Sequence, residues 1–169
     1  MATRVIYSNL FSASRNNVVE LTTNNVSDPT TSSTEFRKWI YSREPDVKSN
    51  EFYGYPLIII HPCILDVEKA EGSGDGKHKF VNFSIEVEIR SSDRGYSNND
   101  GKGLSYLDSI SNSFVETFND ITNRNSLALN SLEFLTPIVG EVGELTVADE
   151  LIYRRIITLQ FRSRMAVSS

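Results

Sequence analysis

From Val81 to Arg90 the chain alternates without a break: Val81, Phe83, Ile85, Val87 and Ile89 are apolar, while Asn82, Ser84, Glu86, Glu88 and Arg90 are polar. Successive side chains of a strand point to opposite faces, so this period of two specifies a strand with one face on a core. The other face meets water or a partner. Upstream, Tyr55-Pro56-Leu57-Ile58-Ile59-Ile60 is short, continuous and β-branched, the pattern of a central strand covered on both faces. His61-Pro62 must end, bulge or edge that strand, because proline donates no ladder hydrogen bond. The polar loop Glu71-Gly72-Ser73-Gly74-Asp75-Gly76-Lys77 is too short for a parallel crossover, so the two strands are expected to form an antiparallel hairpin.

Helical periodicity appears in two places. Leu104, Leu107, Ile110, Phe114, Phe118 and Ile121 recur every three or four residues, with Asp108, Asn112, Glu116 and Asn119 between them, which predicts a helix of four to five turns. Ser105 with Asp108, or Gly103, or Asp100, is its expected cap. Near the N-terminus Val5, Ile6, Leu10, Ala13, Val18 and Leu21 fit an irregular amphipathic helix over 4–21. Residues 22–34, TTNNVSDPTTSST, carry Val26 as their only apolar side chain and are read as a polar arm or loop. Such an arm either clasps a neighbouring copy or lies along its own domain. The aromatic cluster Phe36, Trp39, Ile40 and Tyr41 is open to a short helix or an extended arm.

Two more strands are expected, over 132–139 and 151–164, separated by Gly140-Glu141-Val142-Gly143-Glu144. In the last strand Leu151, Tyr153, Ile157, Leu159 and Phe161 share one face with Arg155, and Arg154, Thr158, Gln160, Arg162 and Arg164 share the other with Ile152 and Ile156. The element order is therefore α-β-β-α-β-β. It predicts an α+β fold, helices packed on a mostly antiparallel sheet, as one domain spanning the 169 residues.

Few chemical constellations survive inspection. His61-Pro62-Cys63 is the only close His/Cys pair, and with His78 alone elsewhere a zinc site would need carboxylates to complete it. The 71–77 tip lacks the first glycine and the closing Ser or Thr of a phosphate loop, and a strand follows it rather than a helix. Asn98-Asn99-Asp100-Gly101 fails as a calcium loop, since Tyr96 and Leu107 fall where ligands belong. No nucleophile elbow is present. No catalytic residue, metal or cofactor is implied. One cysteine permits no intrachain disulfide, and Arg4, Asn9, Ser12, Ser14 and Arg15 interrupt any secretory apolar core, so neither export nor a membrane role is expected. Asn25-Val26-Ser27 and Asn82-Phe83-Ser84 then read as chance glycosylation matches.

Charge is more informative. The net charge of −5 disfavours attraction of the whole molecule to nucleic acid or anionic lipid. Glu133, Glu141, Glu144, Asp149 and Glu150 occur without one basic residue, and Arg154, Arg155, Arg162 and Arg164 follow without one acid. Three readings stay open. The two segments neutralise each other within the domain; or Arg154, Arg155, Glu141, Glu144, Asp149 and Glu150 join copies head to tail into a ring; or Arg162 and Arg164, with Arg154, form a channel or partner face toward DNA.

The strand Tyr55 to Ile60, the alternating strand Phe83 to Arg90, the helix Leu104 to Ile121 and the strand Tyr153-Arg154-Arg155-Ile156-Ile157-Thr158-Leu159 together resemble the tail terminator, or tail completion, proteins of long-tailed phages and related archaeal viruses. The resemblance covers most of residues 50 to 165. It implies a small α+β virion subunit that assembles as a homohexameric ring at the head-proximal end of the tail tube. Such a ring ends tube growth and lets DNA pass without specific binding. Its implied partners are further copies of itself, the tail tube protein and a neck or connector protein. A head-tail connector or head-closure component is the alternative within structural proteins. A small soluble enzyme or ligand-binding domain with a pocket beside His61 is the alternative outside them.

Overall fold

A computed structural model describes residues 2–30, 37–66, 78–94, 101–127, 132–134 and 136–166. The elements run α1 (Ala2–Asn25), β1 (Ile40–Tyr41), β2 (Leu57–Ile60), β3 (Ile64–Asp66), β4 (His78–Ser91), α2 (Gly103–Asn119), α3 (Ile121–Leu127), β5 (Leu132–Phe134), β6 (Ile138–Val139), β7 (Gly143–Val147) and β8 (Glu150–Ala166). The chain has an α+β fold. One sheet runs in the order β1-β2-β4-β8-β5, with β3 beside β4 and with β6 and β7 beside β8. Every pairing is antiparallel except β1 with β2.

The two long strands β4 and β8 are the spine. Their register pairs Phe83 with Phe161, Ile85 with Leu159 and Val87 with Ile157, so both apolar faces turn the same way. α1 and α2 cover that face, and Val18, Leu107, Ile110, Phe114 and Phe118 complete the main core. Phe83 stacks on Phe161 with ring centroids 5.1 Å apart, and Phe11 of α1 lies 5.0 Å from Phe83. Ile58 and Ile60 of β2 join this core, while Leu57 and Ile59 point to the opposite face and form a second, smaller core with Tyr41, Tyr55 and Ile152. The apolar run of β2 is thus fully covered on both sides, each such side chain contributing about 1.5–3 kcal/mol.

Several sequence expectations are revised. α1 continues past residue 21 because its buried face is partly polar: Ser14 and Thr22 sit on it and donate to the carbonyls of Leu10 and Val18 at 2.8 and 2.7 Å. Residues 22–30 of the expected polar arm belong to the domain. Thr22 and Val26 are buried, and Asp28 pairs with buried Arg37 at 2.5 Å. Residues 31–34 lie outside the described residues. Within the 35–53 cluster Ile40–Tyr41 forms a short strand that pairs in parallel with Ile58–Ile59, and Phe36 lies outside the described residues.

The cap of α2 comes from none of the expected residues. Lys102 occupies the cap position without a side-chain hydrogen bond, and the Asp93 carboxylate instead accepts from the Gly103 amide at 2.9 Å. A Cβ at Gly103 would lie 2.8 Å from Asp93 and Ser92, so this close approach requires glycine. Helix α2 ends at Asn119, and the separate helix α3 begins at Ile121, capped by Asp120 through the amides of Thr122 and Asn123. The single strand expected over 132–139 is two short ones, because Pro137 lacks a donor. Gly143 and Glu144, the end of the expected 140–144 connection, join residues 145–147 to form β7. The 71–77 tip and the Asn98-Asn99-Asp100 segment lie outside the described residues.

Candidate functional site

The sheet face away from the helices carries two kinds of surface. Toward one end Glu88 and Arg90 of β4 lie buried beneath the 42–56 connection. Arg90 Nε donates to Glu88 Oε1 at 2.7 Å, and its two terminal nitrogens both donate to the Glu44 carboxylate. His61 Nε2 stands 3.3 Å from Glu88 Oε2, and Arg154 lies 3.8 Å from Glu88 Oε1. Burial alone would raise Glu88, but hydrogen bonds and charge from Arg90 and His61 outweigh it and hold the carboxyl below its ordinary value. Arg90 is raised: burial works against its charge, yet Glu88 and Glu44 more than offset that. The pattern alternated correctly in sequence, but the burial of its polar residues depended on a connection that the sequence left unassigned.

His61 was the residue beside which a pocket was expected. Two surface hollows stand out, one of about 390 Å³ lined by Lys38, Tyr41, Arg43, Glu44, Asp46 and Glu51, the other of about 470 Å³ lined by Asn25, Ser113, Glu116, Thr117, Asp120 and Asn123. His61 lines neither. Cys63 donates its thiol to the Phe11 carbonyl at 3.4 Å, and burial pushes it up to about 11, which makes it a poor nucleophile. Among the described residues no group of three or more His, Cys, Asp and Glu is placed to hold a metal ion.

The second surface is the free edge beyond β8. β5, β6 and β7 succeed one another along that edge, and the β7–β8 hairpin turns through Ala148 and Asp149, both at positive φ, 49° and 64°. Those are the signs of a type I′ turn, usually built from Asn and Gly. Gly140 donates its amide to the Ile156 carbonyl at 2.9 Å, and a Cβ there would sit 2.8 Å from that oxygen. Around this edge Ile138, Val139, Val142 and Leu151 are all exposed, Ile138 by 52%. Glu141, Glu144 and Asp149 rim them, exposed as well.

The predicted interface residues are thereby sorted. The acidic segment is spread over β5, the β6–β7 connection, β7, the turn and the first residue of β8, and the arginines follow along β8, with Glu144 opposite Tyr153, Gly143 opposite Arg154 and Glu133 opposite Arg162. Arg154 and Arg155 find acids outside the acidic segment. Arg155, on the helix-bearing face, donates to Asp108 Oδ1 of α2 at 3.0 Å, and Arg154, on the opposite face, approaches Glu88 of β4. Glu150 accepts from the Ser92 hydroxyl. Within the subunit Arg155 and Glu150 are bound to Asp108 and Ser92, and Arg154 points to the opposite face from Arg155, as neighbours on a strand must. Arg162 lies on the open face, in register with Asn82 and Glu133. Arg164 occupies β8 opposite Phe80, and its side chain lies outside the described residues. Sequence reasoning missed the exposed apolar pair Ile138 and Val139, whose signal was two apolar neighbours in a strand too short to bury both faces.

Compared with models of known protein families and with curated proteins, the chain matches none. No described helix is long and apolar enough to cross a membrane.

Proposed function

We propose that this chain is a non-enzymatic virion subunit of the tail terminator type, assembling as a homo-oligomeric ring at the head-proximal end of a viral tail tube. Its action is steric: the closed ring ends tube polymerisation, and its second surface joins the neck or connector. DNA passes through without specific binding. The observation that carries the assembly reading is the exposed strip of Ile138, Val139, Val142 and Leu151 beside the acidic rim of Glu141, Glu144 and Asp149. Large apolar side chains left exposed beside charged ones mark a protein-protein contact. The element order supports the same reading, as does a sheet whose helices, among the described residues, pack on one face. The test is the native mass of the purified chain by light scattering, with negative-stain images of the same sample and a pull-down against the tail tube protein. Closed rings that bind tube ends are expected. A monomer that leaves tube length unchanged would overturn the proposal.

A further inference from the structure

The strip beyond β8 has a counterpart across the sheet. Ile64 and Leu65 of β3 are 50% and 42% exposed, and Ile138 and Val139 of β6 are 52% and 47% exposed. In each case two consecutive apolar residues of a strand are exposed, so neither face of that strand is covered. Strands that are apolar on both faces belong inside a sheet with both faces covered, the condition that β2 meets within the monomer. Among the described residues β3 pairs only with β4 and β6 only with β8, so each also has an outer edge free.

We infer that β6 of one copy pairs with β3 of the next, continuing the sheet from subunit to subunit in a head-to-tail contact. The inference rests on the ring reading and names the surfaces that would close it. Strand sense supports it. β3 is antiparallel to β4, β4 to β8 and β8 to β6, so β3 and β6 run oppositely at the two edges. A neighbour that keeps the same sheet orientation then presents β6 antiparallel to β3. The faces also agree. Ile64 lies opposite Ser84 and Ile138 opposite Thr158, both on the open face, whereas Leu65 and Val139 lie opposite Phe83 and Ile157 on the helix-bearing face. Pairing Ile64 with Ile138 on the open face sets Leu65 opposite Pro137 and leaves Val139 as its diagonal neighbour on the helix-bearing face.

Charge completes the match. In the antiparallel arrangement exposed Glu141, just after β6, falls beside the residues just before β3. There His61 is partly exposed, and Arg15 donates to the Ile60 carbonyl at 2.8 Å while its Nε is buried with no hydrogen-bond partner. The apolar strands are two and three residues long, which restricts pairing to a partner with matching flanks. Because the two edges differ, the contact is heterologous and propagates until it closes.

The experiment uses the full chain with Val139→Lys to disable one edge and Leu65→Lys to disable the other, read by size-exclusion chromatography with light scattering. Each variant alone is expected to associate about 100-fold more weakly than wild type, as for an unpaired charge at a contact centre. Mixed together, they should form a dimer that grows no further, since each supplies the edge that the other lacks. Circular dichroism reports folding, and Ile138→Ser with Ile64→Ser replaces any variant that unfolds. A wild-type oligomer that persists in both single variants overturns the edge pairing and leaves the ring reading standing. A mixture that forms no dimer overturns the head-to-tail geometry. A monomeric wild type overturns the edge pairing, and if it also leaves tube length unchanged it overturns the ring reading.

Discussion

Arg37 offers the sharpest test of how this domain is held together. Its guanidinium is buried, and its Nε donates to Asp28 Oδ2 at 2.5 Å, one terminal nitrogen to the Gly54 carbonyl at 3.0 Å and the other to the Pro56 carbonyl at 2.6 Å. One side chain thus ties the segment after α1 to the entry of β2. Asp28 also accepts, through Oδ1, from the amide and hydroxyl of Thr30. Replacing Arg37 by Met keeps the stem's volume but leaves a buried carboxylate and carbonyls without their donor. Breaking one side of a buried pair costs about 3–5 kcal/mol. We expect about 3–4 kcal/mol for Arg37→Met, which for a chain of this size lowers Tm by roughly 6–16 °C. Asp28→Asn keeps the Oδ1 acceptor for Thr30 but sets an amide nitrogen, itself a donor, against Arg37 Nε, so the charge and that hydrogen bond are both lost and about 1.5–3 kcal/mol is expected. Urea denaturation of both single variants and the double variant closes the cycle. A coupling of about 1–3 kcal/mol is expected, the double costing less than the sum. A loss below about 1 kcal/mol for Arg37→Met, or strict additivity, would refute the argument that this clamp organises the loops.

Three further outcomes follow from the geometry. Ala148 sits at φ 49° in the β7–β8 turn, where an L residue other than Asn, Asp or Gly is strained, so Ala148→Asn should stabilise by about 0.5–1 kcal/mol in thermal melts; an unchanged or lower Tm would contradict the turn assignment. Burial pushes the Tyr55 hydroxyl up to about 12 from 10.0, so the folded state holds its proton longer than the unfolded state; stability is full below pH 10 and falls by roughly 2–3 kcal/mol as pH rises toward 12, a slope that Tyr55→Phe should flatten. With its thiol near 11, Cys63 has roughly one part in a thousand as thiolate at pH 8, and Ellman's reagent should label the native protein far more slowly than the denatured one.

The elements legible in the sequence were those whose cause is local. β2, β4, α2 and β8 announce themselves through the spacing of their own apolar residues, since a period of two or of three to four is imposed by strand or helix geometry wherever the element ends up. The split of β5 from β6 and the strand β7 were missed, although Pro137 marks the first and the short alternation of Leu145 and Val147 with Glu144 and Thr146 marks the second. α1 was legible only in part, because Ser14 and Thr22 stand on its buried face and break the apolar stripe.

What the tertiary structure alone decided was which polar groups are inside and which apolar groups are outside. Nothing near Arg37 in sequence marks it as buried; its partners are Asp28 before it and the carbonyls of 53–56 after it, brought together by folding. Glu88 and Arg90 look like the water-facing half of a strand until the 42–56 connection covers them. The charge asymmetry of the C-terminal third was visible at once, but its apportioning was not. Arg155 is committed to Asp108 on α2 and Arg154 leans toward Glu88 on β4, while the exposed apolar pairs of β3 and β6 emerge only when the sheet's two edges are known. The sequence by itself determined the class of fold, because periodicity is a local property. The pairings and exposed edges belong to contacts between residues far apart in the chain, which only the folded geometry specifies.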